Sequence, residues 1–133
     1  MAEKWLARQG HGELYIAVAE IDGAPAGRRC LNVEHYAAIG AGYCFAASVL
    51  PQWRSRGIGT MIDAHLAAVA LKKGLRVLRC VVEKSNPRAR SWHERLGYRV
   101  TGESVVHWVD ADGHEVAADC WEFERPLDAG LTV

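Results

Sequence analysis

Val49-Leu50-Pro51-Gln52-Trp53-Arg54-Ser55-Arg56-Gly57-Ile58-Gly59-Thr60 joins an apolar strand to a basic, glycine-spaced turn that opens into an amphipathic helix. A helix N-terminus carries unpaired backbone N–H groups and the positive end of the helix dipole, so it is a ready site for an anion such as a diphosphate. Gly57 and Gly59 leave the approach unobstructed, and their backbone freedom allows several N–H groups to point at one centre. Arg54 and Arg56 add fixed positive charge beside the turn.

Two common phosphate loops do not fit. A Walker loop needs Lys and then Ser or Thr after its last glycine, and Ile58-Gly59-Thr60 has no lysine. In the dinucleotide fingerprint a third glycine lets helix and strand pack closely, and Ile62 stands there. What remains is Arg-x-x-Gly-x-Gly after Val-Leu-Pro, set against the plain alternative of a strand-to-helix turn with solvated arginines.

A second segment decides between them. In Asn86-Pro87-Arg88-Ala89-Arg90-Ser91-Trp92-His93-Glu94-Arg95-Leu96-Gly97-Tyr98, Asn86 suits the N-cap, Pro87 the first helical position and Gly97 the left-handed residue that closes a helix of about three turns. Ala89, Trp92, His93 and Leu96 fall at i, i+3, i+4 and i+7 and share a face, which turns His93 inward or toward a ligand edge. The two segments, in this order with a strand between them, resemble the acyl-CoA diphosphate loop and the Asn…Leu-Gly-aromatic signature of the GNAT superfamily of N-acetyltransferases. The resemblance covers roughly residues 13 to 126.

Length and composition agree with one catalytic domain over residues 1–133. Sixteen basic and sixteen acidic residues cancel, which argues against an electrostatic nucleic-acid binder and for a small partner. Cys30, Cys44, Cys80 and Cys120 are scattered through apolar segments with no Cys-x-x-Cys spacing, so buried thiols in a reducing compartment are expected, with neither metal nor disulfide. No opening stretch reads as a signal peptide and no apolar run is long enough for a bilayer, so the sequence reads as cytoplasmic and free of membrane.

Along the chain, Leu14–Ile21 reads as a strand, Asp22-Gly23 with Pro25 as a turn, and Arg29–Val33 as the returning strand. A loop from Glu34 to Gly42 precedes the strand Tyr43–Leu50, which Pro51 ends. Ile58, Met61, Ile62, His65, Leu66, Val69 and Ala70 repeat at helical spacing, and Lys72, Lys73 and Gly74 suit a helix end. His65 on that stripe reads as a packed histidine. Leu75–Glu83 is a largely buried strand, making the helix a right-handed crossover between parallel strands. Arg99–Val109 and Glu115–Arg125 form a hairpin around Asp110-Ala111-Asp112-Gly113. The expected class is α/β (α+β): a mixed, mostly antiparallel sheet with a central βαβ parallel pair and flanking helices.

The start departs from the family pattern. A strand and one or two helices are expected before the Leu14 strand, yet only Met1–Gly12 precede it, with Trp5–Gln9 reading as the last turn or two of a helix. A naturally short chain, a truncated start or a covering partner would each account for it. A missing edge strand predicts a homodimer or a shielded edge, with the final hairpin or the Leu14 strand near the contact.

The resemblance implies direct attack of an amine on the thioester of acetyl-CoA, with no covalent enzyme intermediate. The diphosphate falls to Arg54, Ser55, Arg56, Gly57, Ile58, Gly59 and Thr60, and the pantetheine arm to the backbone of Ser48, Val49 and Leu50. A backbone N–H near Val49 or Leu50 would polarise the thioester carbonyl. Asn86, Ala89 and His93 complete the cofactor set. An alkyl amine has a pKa of about 10 and needs a base. Glu83 is the first candidate; Glu34, His35, Tyr36 and Tyr43 are alternatives, and a plain solvated carboxylate is the bland reading of Glu83. His93 stands where the family has a tyrosine acid, so it either donates to the leaving thiolate or only contacts the cofactor. The small-molecule or peptide amine is not legible. The competing functions are a catalytically inactive CoA-binding module and a protein-association module.

Overall fold

Asp22 and Gly23 both take left-handed backbone angles (φ 53° and 80°), which a two-residue hairpin turn requires. They join β2 (Leu14–Ile21) to β3 (Ala24–Tyr36), with Ile21 opposite Ala24. This computed structural model describes residues 4–10 and 14–127. They divide into two compact units, one running to Leu78 and resuming at Pro126, the other Arg79–Arg125.

In the first unit, β1 (Lys4–Gly10) pairs antiparallel with β2, from Lys4 opposite Glu20 to Gly10 opposite Leu14. This corrects two expectations: Trp5–Gln9 is strand rather than helix, and the edge strand thought missing is present. An isolated turn or two of helix is marginal in water, whereas a strand pairs the backbone groups that β2 would otherwise leave open. The returning strand is also longer than expected. β3 continues through Glu34 and His35, whose N–H groups donate to the Asn32 side chain at 2.9 and 2.8 Å. A short 3-10 turn (Ala37–Ile39), closed by Gly40 at φ 73°, leads into β4 (Ala41–Val49).

β3 and β4 pair antiparallel with a bulge: Arg28 faces Ser48 and Cys30 faces Phe45, so β4 carries one extra residue there. Ala46 in the bulge has φ 56°, a left-handed angle rare outside glycine. Helix α1 (Ile58–Lys72) lies against β2, β3 and β4 and buries Ile58, Ile62, Leu66 and Ala70, the expected stripe. A Cβ on Gly27 would meet the Ser48 carbonyl oxygen at 3.0 Å and Ile62 Cδ1 at 3.2 Å, so this glycine lets β3, β4 and α1 close up beside the turn. Gly74 (φ 81°) follows the end of α1, with Leu75 N–H donating to Ala70 at 3.0 Å. Arg76 and Val77 N–H then donate to Gly40 O at 2.7 and 3.2 Å, so β5 (Val77–Glu83) starts beside the start of β4 and parallel to it.

The second unit carries β5 into α2 (Pro87–Arg95) and the antiparallel hairpin of β6 (Arg99–Val109) and β7 (Glu115–Pro126). β5 alternates between buried Leu78, Cys80 and Val82 and more open neighbours, so it is less thoroughly buried than its composition suggests. At the hairpin tip Asp110 Oδ1 accepts from the N–H groups of Asp112 and His114, each at 2.9 Å. Cys80, Val82, Tyr98, Cys120 and Phe123 are the buried core of this unit, with His93. The class is the expected mixed α/β fold, mostly antiparallel with a parallel βαβ pair. Among the described residues, no helix is long and apolar enough to cross a membrane.

Candidate functional site

The first unit presents the basic turn as a helix start without a side-chain cap. Gly57 is the N-cap of α1 at φ 80°, no side chain bonds the cap, and no acidic residue lies in the first turn. The first-turn N–H groups therefore open into a region carrying the dipole's positive end. A Cβ on Gly57 would meet nothing within 4 Å, so its glycine is required by backbone angle rather than by neighbours. Ser55 is left-handed as well (φ 62°), a strained conformation of the kind that collects at ligand-binding turns.

The arginines flank this start differently. Arg54 Nε donates to the Val49 carbonyl at 3.1 Å, and the Arg56 guanidinium lies over the Trp53 ring at 5.4 Å from its centroid. Both side chains are thereby oriented with their charge in solvent. Gly57 and Thr60 are exposed, while Ile58 and Gly59 are buried.

Ser48, Val49 and Leu50 do not offer equivalent backbone. Leu50 N–H already donates to Ala26 O at 2.8 Å, toward β3. This corrects the expectation that Leu50 could supply the polarising N–H. Strand alternation turns the Val49 groups to the opposite edge, where its carbonyl meets Arg54. The alternative acceptor-side groups are remote from that point. Val49 faces Gly27, while Glu34 and His35 stand seven and eight residues further along β3, about 23–26 Å along the strand at strand rise. Tyr36, Tyr43 and Phe45 instead form a ring series, with centroids 5.9 and 6.0 Å apart.

Sequence reasoning missed one pair in this unit. Arg29 of β3 and Asp63 of α1 are both 1% exposed, with Nη1 and Oδ1 3.5 Å apart. The pair ties the second turn of the helix to the sheet. Asp63 sits beside the apolar stripe, which is the one signal that could have pointed inward.

In the second unit, Asn86 caps α2 by accepting from Ala89 N–H at 3.0 Å, Pro87 follows it, and Gly97 adopts φ 98°. The helix begins and ends where the sequence places it. His93 is 5% exposed, and its Nδ1 lies 2.7 Å from the Ala89 carbonyl. Its ring packs against Trp92, Tyr98 and Phe123 at centroid distances of 4.6, 5.3 and 6.0 Å. A carbonyl can only accept, so Nδ1 carries the proton of the neutral ring. Glu83 ends β5, exposed, and its carbonyl accepts from Asn86 N–H at 3.0 Å. Burial first, and then the Glu83 and Asp119 carboxylates, push the Cys120 thiol above its ordinary range. Cys30, Cys44, Cys80 and Cys120 are all buried.

A family model of the acetyltransferase (GNAT) family matches residues 1–98. The chain belongs to the GNAT acetyltransferase family. Solved structures of similar fold include a nourseothricin acetyltransferase, at 19% identity and a TM-score of 0.75 over 87% of this chain and 66% of that one. The ribosomal-protein-S18-alanine N-acetyltransferase of Escherichia coli is similar at 23% identity and a TM-score of 0.69, over 94% of this chain and 76% of that one. The PaiA N-acetyltransferase of Thermoplasma acidophilum, solved in complex with coenzyme A, is similar at 16% identity and a TM-score of 0.67, over 86% and 61%. The GNAT chain described here thus spans between about three fifths and three quarters of their lengths. No curated protein matches it at a significant level.

Proposed function

We propose that this GNAT protein transfers an acetyl group from acetyl-CoA to a primary amine by direct attack. The observation that carries the reading is the start of α1: a left-handed Gly57 cap with no side-chain cap, no acidic residue in the first turn, and Arg54 and Arg56 beside it. That arrangement suits a diphosphate, and the family supplies the chemistry. Coenzyme A in the Thermoplasma neighbour supports the same cofactor.

Arg54, Ser55, Arg56, Gly57, Ile58, Gly59 and Thr60 would hold the diphosphate, and the backbone of Ser48–Leu50 the pantetheine arm. The Val49 N–H is the donor proposed for the thioester carbonyl, since Leu50 N–H is engaged with Ala26. Donation there stabilises the oxyanion that forms as the amine attacks. The family resemblance assigns Asn86, Ala89 and His93 to the cofactor as well.

Glu83 is the proposed base. It takes the amine proton directly or through water, because only the free amine is nucleophilic. His93 faces a stricter condition. With Nδ1–H donated to the Ala89 carbonyl, the neutral ring turns an acceptor, Nε2, away from that bond and has no second proton to give. A thiol of pKa about 8.5 leaves with little acid help, so the proposed role of His93 is to hold α2 in shape where it borders the cofactor, rather than to act as the acid. The acceptor is an amine on a small molecule or a peptide, and the proposed compartment is the cytoplasm.

The test is calorimetric titration with acetyl-CoA of the wild-type protein and of Gly57→Val, which forces a β-branched residue into the left-handed cap. Wild type should bind, and the variant should bind at least tenfold more weakly with its fold intact. Equal affinity in the two would detach the turn from the cofactor.

A further inference from the structure

Side chains alternate between the faces of a strand, and Arg29 of β3 pairs with Asp63 of α1, so Arg28, Cys30 and Asn32 face away from the helix. Their partners on β4 are Ser48, Phe45 and Tyr43, which share that face. It therefore carries the Phe45 ring, 39% exposed and stacked on Tyr43 at 6.0 Å, and the exposed side chain of Arg28. Ile16 and Val18 of β2, both half-buried, stand beside Cys30 and Arg28. Burial pushes the Cys30 thiol up and the Arg28 charge acts against it, so the guanidinium and the thiol are neighbours. Over residues 14–18, 28–32 and 43–48, Arg28 is the one charge on this face. Its side chain has no ion-pair or hydrogen-bond partner among the described residues.

We infer that this face selects an aromatic α-amino acid as the acceptor, holding its carboxylate on Arg28 and its ring on Phe45 and Tyr43, an inference that rests on the acetyl-transfer reading above. Val49, the donor proposed for the thioester carbonyl, pairs with Gly27, which adjoins Arg28. Phe45 pairs with Cys30, three residues along β3 from Gly27, about 10 Å at strand rise. The order from the reacting point is thus cation, then rings. An α-amino acid has the same order, with its carboxylate one carbon from the amine and its ring further off. Helix α1 covers the other face of β2, β3 and β4, which leaves this one open to a substrate. A guanidinium meets a carboxylate with two parallel N–H donors, and an exposed ring takes a second ring stacked or edge-on. A polyamine or an aminoglycoside would instead set a second ammonium against Arg28. Transfer to the amino acid forms the amide C–N bond, breaks the C–S bond and removes two protons from the ammonium nitrogen, one taken up by the thiolate and one by solvent.

The test combines binding and turnover on the full chain, with far-UV circular dichroism as the check on folding. N-acetyl-L-phenylalanine, the expected product, is titrated calorimetrically in the presence of coenzyme A, and thiol release from acetyl-CoA is followed with L-phenylalanine, phenethylamine and spermidine. Wild type should bind the product and prefer L-phenylalanine. Arg28→Gln should weaken product binding at least tenfold and cut the kcat/KM preference for L-phenylalanine over phenethylamine, which lacks the carboxylate, by the same factor. Phe45→Ala should weaken product binding about tenfold. Product that fails to bind wild type, or that binds Arg28→Gln equally well, would overturn the inference. Thiol release with spermidine but not with L-phenylalanine would overturn it and leave acetyl transfer standing. Product binding that depends on Arg28, with no amine releasing thiol, would support the site and overturn acetyl transfer.

Discussion

Arg54 reaches back across the turn to Val49, its Nε donating to the Val49 carbonyl at 3.1 Å. The bond fixes the start of the basic turn to the end of β4 and leaves the Arg54 side chain exposed. Strand end and basic turn are thereby held in one geometry.

Arg54→Ala removes both the tie and a charge. Its dissociation constant for acetyl-CoA should rise about tenfold, equivalent to about 1.4 kcal/mol. Arg54→Lys keeps the charge without the planar donor set and should lie between the two. Titration calorimetry reads both values, and an Arg54→Ala affinity equal to wild type would remove the residue from cofactor binding.

The buried Arg29–Asp63 pair should be costly to break from one side. Asp63→Asn takes the carboxylate charge away from a buried guanidinium, and a loss of about 3–5 kcal/mol is expected in urea unfolding. Replacing both residues with apolar ones, Arg29→Met with Asp63→Leu, should cost less than the single change, since no charge is then stranded. Additive losses would contradict the pairing.

What the sequence revealed here was local. The turn from Pro51 to Thr60 and the bracket from Asn86 to Gly97 depend on residues within a helical turn of each other, and both elements begin where their glycines, proline and caps put them. What escaped was pairing over distance. Lys4–Gly10 becomes a strand because β2 lies beside it, and nothing within Trp5–Gln9 announces that neighbour. The bulge at Ala46 had no signal, since alanine is not a residue that marks left-handed backbone. Asp63 was visible as a charge beside an apolar stripe, but its partner on β3 was not. For the site, the uncapped glycine start of α1 was readable, while the engagement of the Leu50 amide by β3 was not.

Glu83→Gln separates a base from a bystander. Turnover should fall about a hundredfold at neutral pH, the low end of general-base contributions. The deficit should shrink as pH rises toward the amine pKa of about 10, because the free amine then no longer needs a base. Acetyl-CoA affinity should stay unchanged. Wild-type turnover in Glu83→Gln would point to proton removal by water.

His93→Phe keeps the ring and deletes the bond to Ala89. The account predicts a stability loss of about 1 kcal/mol and turnover close to wild type. A tenfold drop in kcat at unchanged KM, recovered by His93→Tyr, would instead make His93 the acid for the leaving thiolate.

The central claim, acetyl transfer to an amine by direct attack, is tested most directly by following thiol release from acetyl-CoA across a panel of amines: aminoglycosides, polyamines, amino acids, peptide N-termini and lysine peptides. The account predicts release of coenzyme A that depends on one class of amine, with stoichiometric acetylated amine and no acetyl-enzyme in the mass spectrum. Tight binding of acetyl-CoA with no amine-dependent release would contradict it, as would an acetylated protein intermediate that forms and decays at the catalytic rate.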